Sequence, residues 1–164
     1  MPLAITSYEF SLFLHITAVV VGFGATFAES VMFPVAMKMS ARYLPYVHRL
    51  QLTINQYFAL PALVVVLATG FYQVSEGNWD LGDFWISATL AIVIVIALLN
   101  ILYFIPADRR LAPMVDREVA DAGTGEVTLS AQYRREATRE GIAGTATGIL
   151  LVVAIWLMVD KPGA

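Results

Sequence analysis

A histidine and a glutamate share one face of the first long apolar stretch. His15, Ala18, Gly22, Ala25 and Glu29 recur at steps of three and four residues, the spacing of a single helical face. A histidine in such a place can ligate haem iron, hold another metal or relay a proton. Ionisable groups are costly in hydrocarbon, so they turn toward a protein interior or cavity. At 1.5 Å per residue, the fourteen steps between His15 and Glu29 span about 21 Å. The two cannot form one catalytic pair within a helix. His15 is therefore the candidate haem-iron ligand, and Gly22 and Ala25 would make room for a flat macrocycle. The structural alternative for His15 is a hydrogen bond between helices. For Glu29 it is a pairing with Arg42 or Arg49, or a hydrogen bond to Asn55.

His48 stands beside Arg49, at the opposite end of the membrane from His15, so the two histidines cannot grip one haem from both faces. Asn55, Asn100 and Tyr103 are further polar groups in or near apolar stretches, and interhelical hydrogen bonding is their default use. No Gly-rich phosphate loop, HExxH motif, serine-nucleophile motif or EF-hand loop occurs, which argues against hydrolase and nucleotide chemistry of the soluble type. Cysteine is absent, which excludes disulfides, thiolate metal sites and thioether-linked haem.

The elements that must position these groups are membrane helices. Of the 164 residues, 59% are hydrophobic and only 14% charged, where a soluble domain carries about 25% charged; mean hydropathy is +0.71. Four stretches reach the roughly 20 apolar residues a span needs: about 10–33, 52–74, 84–105 and 141–159. They are too long for strands and lack the period-two alternation of membrane barrels. The expected fold is all-α, a four-transmembrane-helix bundle forming a single integral membrane domain over residues 1–164. Met1 to Ser11 carries no basic residue, so the start reads as a retained helix and not a cleaved signal.

Charge sets the expected orientation. Lys38, Arg42 and Arg49 lie between the first two spans, and Arg109, Arg110, Arg117, Arg134, Arg135 and Arg139 between the last two. The middle connection carries Glu76, Asp80 and Asp83 with no basic residue. The positive-inside rule puts both basic connections in the cytoplasm and both termini on the outer side, in what reads as a bacterial cytoplasmic (inner) membrane. Trp79, Trp85 and Trp156 then fall near the outer boundary, as an aromatic belt does. With a pI near 5.3 and no basic-aromatic surface run, nucleic acid is not a partner; the lipid bilayer is.

Residues from Ala107 to about Thr128, with Pro113 and Gly-Thr-Gly at 123–125, read as a loop. Ser130 is placed to cap a helix running into the fourth span. Near its start Glu136 and Arg139 form the one workable opposite-charge pair, and Glu140 reads with them as a solvated mixed-charge face. Pro34 and Pro61 are expected to kink or end helices. Ala137, Gly141, Gly144 and Gly148 line one side of the fourth helix. This small face allows close backbone approach, with the first helix the expected neighbour.

Leu-His-Ile-Thr at 14–17, Gly-Phe-Gly at 22–24 and the tail Leu-Met-Val-Asp-Lys-Pro-Gly at 157–163 resemble the DUF2269 family of bacterial integral membrane proteins, which implies four spans and no particular activity. The His-then-glycine first helix is similar, more remotely, to the copper resistance D family and to the HemJ-type protoporphyrinogen oxidases. The second likeness implies haem b at His15; the lysine that HemJ-type proteins use in a later span is missing here. The leading expectation is a non-enzymatic haem-b-binding or complex-associated membrane subunit. A cofactor-free structural or assembly subunit, working as a homo-oligomer or in a larger complex, is the second. An oligomeric proton-coupled transporter is the third.

Overall fold

The computed structural model describes residues 5–163. Met1 to Ala4, part of the start read as lacking a signal region, lie outside the described residues. The chain folds into four helices long and apolar enough to cross a membrane, Ser7–Met39, Ala41–Glu76, Phe84–Asp121 and Ala131–Asp160. There is no strand among the described residues.

Helix α1 (Ser7–Met39) opens with a capping box: the Glu9 amide donates to Thr6 Oγ1 at 3.2 Å, and the Thr6 amide donates to Glu9 Oε2 at 2.9 Å. Both contacts satisfy donors that a helix start leaves orphaned. Pro34 does not end α1, which runs on to Met39. The second long helix has three parts: a short 3₁₀ turn (Ala41–Tyr43), α2 (Leu44–Ile54) and, after a π-helical turn at Asn55–Ala59, α3 (Leu60–Glu76). The third repeats the device, with α4 (Phe84–Leu99), a π turn at Asn100–Phe104 and α5 (Ile105–Asp121). The fourth, α6 (Ala131–Asp160), starts where the sequence places its cap: the Tyr133 amide donates to Ser130 Oγ at 3.1 Å.

Each long helix exposes bulky apolar side chains such as Phe13, Phe27, Val64, Leu102 and Val152. In water such a surface would drive association; in a bilayer it is the lipid-facing side. Helix α1 packs mainly on α3, α4 on α6, and α2 on α5.

One expectation is overturned here. The stretch from Ala107 is not a loop: the third helix continues through α5 to Asp121. Its apolar residues Leu111, Ala112 and Val115 recur at helical spacing and are buried, so an amphipathic helix has a face to bury. Pro113 sits on the exposed side, where water can serve the carbonyl whose amide partner the proline removes. Leu111 and Val115 join Ala36, Leu44, Val47, Leu129 and Tyr133 in a compact apolar core. This core closes the end of the bundle that carries both basic connections, called the basic end below; the opposite end carries the acidic turn, Ser75 to Asp83.

Candidate functional site

Just beneath that core lies a cluster of buried polar side chains. His48 on α2 and Asp108 on α5 are each 1% exposed, Tyr133 on α6 is 0% exposed and Glu140 on α6 is 9% exposed. His48 Nδ1 is 2.9 Å from Asp108 Oδ1 and 4.0 Å from Glu140 Oε2. Its other nitrogen, Nε2, is 2.8 Å from the Tyr133 hydroxyl. Glu29 on α1 stands within Coulombic reach of Asp108 and Glu140. Asp108 Oδ2 and Glu29 Oε1 are buried without a hydrogen-bond partner. Buried polar atoms are nearly always paired, so carboxylate oxygens left without a donor at Asp108 and Glu29, with the Glu140 carboxyl against that of Asp108, mark a cluster that packing alone does not call for.

One layer deeper, the Asn100 side-chain amide donates to Asn55 Oδ1 at 2.6 Å, and both residues are buried. Each asparagine opens one of the two π turns, and each is followed six positions later by a proline, Pro61 or Pro106. A proline ring crowds the carbonyl four residues back. The wider turn relieves that crowding, because the residue before each proline donates to the asparagine carbonyl five positions away. Such bulges recur at functional sites.

From this layer a cavity of about 950 Å³ runs through the bundle between α1, α3, α4 and α6, and Glu29, Asn55, Asn100 and Glu140 form its wall at the basic end. At the acidic end it reaches Trp79, Trp85 and Lys161. The Lys161 ammonium sits 4.8 Å from the Trp79 ring centre and 5.3 Å from that of Trp85, a cation–π lid.

His15 is on this cavity's wall. Its Nδ1 lies 2.9 Å from Thr69 Oγ1. The Thr69 hydroxyl proton is committed to the Val65 carbonyl at 2.6 Å, so Thr69 accepts from His15 and the ring carries its proton on Nδ1. Nε2 keeps its lone pair. The ring lies against α3 at Gly70, where a Cβ would stand in ordinary contact, 3.5 Å from His15 Cε1.

The model of the family described as predicted integral membrane protein (DUF2269) matches residues 10–162. The chain belongs to the DUF2269 family. No curated protein and no solved structure matches it. The apolar, lipid-facing surfaces of its four long helices agree with that description, and its chemistry has to be read from its own side chains.

In this DUF2269 protein the residues singled out by sequence fall in different places. His15 and Glu29 line opposite stretches of one cavity. Gly22 also lines it and faces Ala62 on α3, whose Cβ a Cβ at this position would meet at 3.4 Å. Ala25 is half-buried and is not among the cavity-lining residues. Tyr103 stacks edge-on against Phe104, with ring centres 5.4 Å apart. Glu29 does not pair with either arginine. Arg42 donates to the Gly125 carbonyl and Arg49 to Asp116 at 2.6 Å, because α5 and the turn after it bring closer acceptors. Nor does a hydrogen bond join Asn55 to Glu29; the Asn55 side-chain oxygen accepts from Asn100.

The small face of α6 is used differently from the expected packing. A Cβ on Gly141, Gly144 or Gly148 would meet no atom within 4 Å, and Gly141 and Gly144 border the cavity. The mixed-charge start of α6 splits. Glu136 and Arg139 pair at 3.6 Å on the exposed side, but Glu140, one residue on, points into the buried cluster. Asp108 and Tyr133 carried no signal in the sequence reading. The repeated Asn-x₅-Pro pattern was the visible trace of this region, since it marks both π turns next to the cluster.

Proposed function

We propose that this protein is a haem-b-binding subunit of the bacterial cytoplasmic membrane, with His15 as the axial ligand. The observation that carries the reading is a histidine on the wall of a roomy, largely apolar cavity with its Nδ1 held at 2.9 Å by the Thr69 hydroxyl. A metal-ligating histidine has this form, its outer nitrogen held by an oxygen that fixes tautomer and ring direction. The volume lies at the upper end of the range for small-molecule and cofactor sites, about 300–1,000 Å³. Lys161 is the one basic side chain on the cavity wall among the described residues, and it would serve the two carboxylates of the porphyrin. Gly22 keeps the wall near His15 low. The other histidine is at the far end of the bundle, engaged by Asp108 and Tyr133, so it does not supply a sixth ligand. Haem would supply one-electron or gas-binding chemistry; the chain supplies the ligand, an apolar pocket and a cation at its rim.

Protein purified from haem-replete cells is expected to be red, with a Soret band that His15→Ala abolishes while the variant still purifies as a folded species. A colourless wild type overturns the reading. It would leave the cavity to transport, favoured by Glu29 and Glu140 at its basic end, or to a cofactor-free assembly role.

The basic end faces the cytoplasm in this reading, since nine arginine and lysine residues flank it and only Lys161 lies elsewhere. A reporter active only outside the cytoplasm, fused after Ala164, is expected to be active, and one fused into the turn at Gly123 to be silent. The reverse pattern refutes the orientation.

A further inference from the structure

We propose that His48, Asp108 and Glu140 form a binding site for a first-row divalent metal ion of the Zn²⁺ type, separate from the His15 cavity site.

The donor set is the first argument. One imidazole and two carboxylates, from three different helices, bring one ligand atom each to within 4.8 Å of one another. Zinc takes His nitrogen at about 2.0–2.1 Å and carboxylate oxygen at about 2.0–2.2 Å, so two donors to one ion stand roughly 3–3.6 Å apart. The separations of 2.9 Å and 4.0 Å from His48 Nδ1 to the two carboxylates bracket that span. A small rotation of Glu140 closes the set.

The second argument is the unpartnered donor. Asp108 is 1% exposed; one of its oxygens touches His48, the other meets no N–H or O–H donor, and its carboxyl otherwise lies against that of Glu140. A purely structural His–Asp contact does not need that second oxygen buried and idle. A metal ion beside His48 Nδ1 gives it an occupant.

Charge is the third. Glu29, Asp108 and Glu140 converge here, yet no ion pair joins any of them to a lysine or arginine among the described residues; the arginine pairs go to Asp116 and Glu136. Buried carboxylates so gathered must take up protons or hold a cation. His48 Nε2 is engaged by the Tyr133 hydroxyl, the outer contact that turns Nδ1 toward the carboxylates and holds it there. Glu140 also forms part of the cavity wall, so an open coordination position faces the cavity. Imidazole among the ligands selects transition ions over Mg²⁺ and Ca²⁺.

The test is direct. Detergent-purified protein is stripped with a chelator and titrated with Zn²⁺ by calorimetry, with metal content read by elemental analysis. Saturation at one ion per chain is expected, with a rise in melting temperature and much weaker binding of Mg²⁺. Asp108→Asn and Glu140→Gln should each weaken Zn²⁺ binding by at least about tenfold, the scale on which even outer contacts act. Glu136→Gln, an exposed carboxylate one turn away, should leave it unchanged. His15→Ala should also bind Zn²⁺ as the wild type does, which keeps this outcome independent of the haem reading. If Asp108→Asn does not fold, Glu140→Gln decides alone. No saturable binding, equal binding of Mg²⁺, or unchanged affinity in the Glu140 variant overturns the proposal.

Discussion

His48→Leu is expected to destabilise the metal-free protein by about 2–4 kcal/mol, because two buried polar groups lose their hydrogen-bond partner at once. Leucine fills much of the imidazole volume, so little of the loss comes from a cavity. The loss comes from what is left behind. Asp108 would have both oxygens buried without a partner, where now one is orphaned. The Tyr133 hydroxyl, 2.8 Å from Nε2, would lose its contact as well, and each orphaned buried polar group costs about 1–3 kcal/mol. Unfolding in a mixed-detergent titration with chelator present measures the change. Arg49→Ala is the control: it breaks the shorter Arg49–Asp116 contact of 2.6 Å, but that pair is exposed and should cost less than about 1 kcal/mol. Equal effects of the two variants would show that the cluster contributes no more than a surface ion pair.

Thr69→Val is expected to weaken haem binding by about 10–100-fold, the range found when an outer hydrogen-bond partner of a ligating histidine is removed. The methyl group replaces the hydroxyl at almost the same volume, so α1 and α3 stay packed. What goes is the acceptor for His15 Nδ1–H at 2.9 Å. The ring is then free to change tautomer or turn, and Nε2 is no longer directed. Haem titration of the apoprotein, followed at the Soret band, reads the shift. Affinity unchanged from wild type would mean that Thr69 packs beside His15 without orienting it. The contrast with His15→Ala is informative: under the haem proposal, loss of the ligand is expected to abolish binding and loss of its orienting partner only to weaken it.

Both variants touch contacts that join residues far apart in the chain, and that explains what was legible beforehand. The spans were legible because hydrocarbon imposes a local demand, about 20 apolar residues in a row. Ser130 caps the fourth helix for an equally local reason, since a cap serves amides two or three residues away. The Glu136–Arg139 pair is one helical turn long. Even α5 left a local trace in Leu111, Ala112 and Val115, but Pro113 and the dense charge around it resemble a loop when the exposed side of a helix is not in view.

The site residues were legible only in part. His15 stood out because an imidazole in an apolar stretch is rare. Glu140 did not, since a glutamate among Arg135, Glu136 and Arg139 looks solvated until the rotation of α6 is known. His48 lies 60 residues from Asp108 and 85 from Tyr133, and neither partner has a distinctive neighbourhood of its own.

The sequence by itself therefore determined the solvent this protein lives in, the number of its long helices, the cap of the fourth and the family it belongs to. Each of these depends on forces acting within a helical turn or on the composition of one stretch. Only the tertiary structure decided that Asp108 and Glu140 gather around His48, with Glu29 close enough to feel both carboxylates. It alone showed that His15 is held by Thr69 at the edge of a cavity, and that Gly141 and Gly144 of α6 border that cavity and do not press on α1. Those outcomes depend on how four helices are rotated about their axes. In a bilayer, where lipid is as apolar as the side chains, that rotation is set by packing and by the few interhelical polar contacts. Such contacts as Asn55–Asn100 and His48–Asp108 exist only once the helices are side by side.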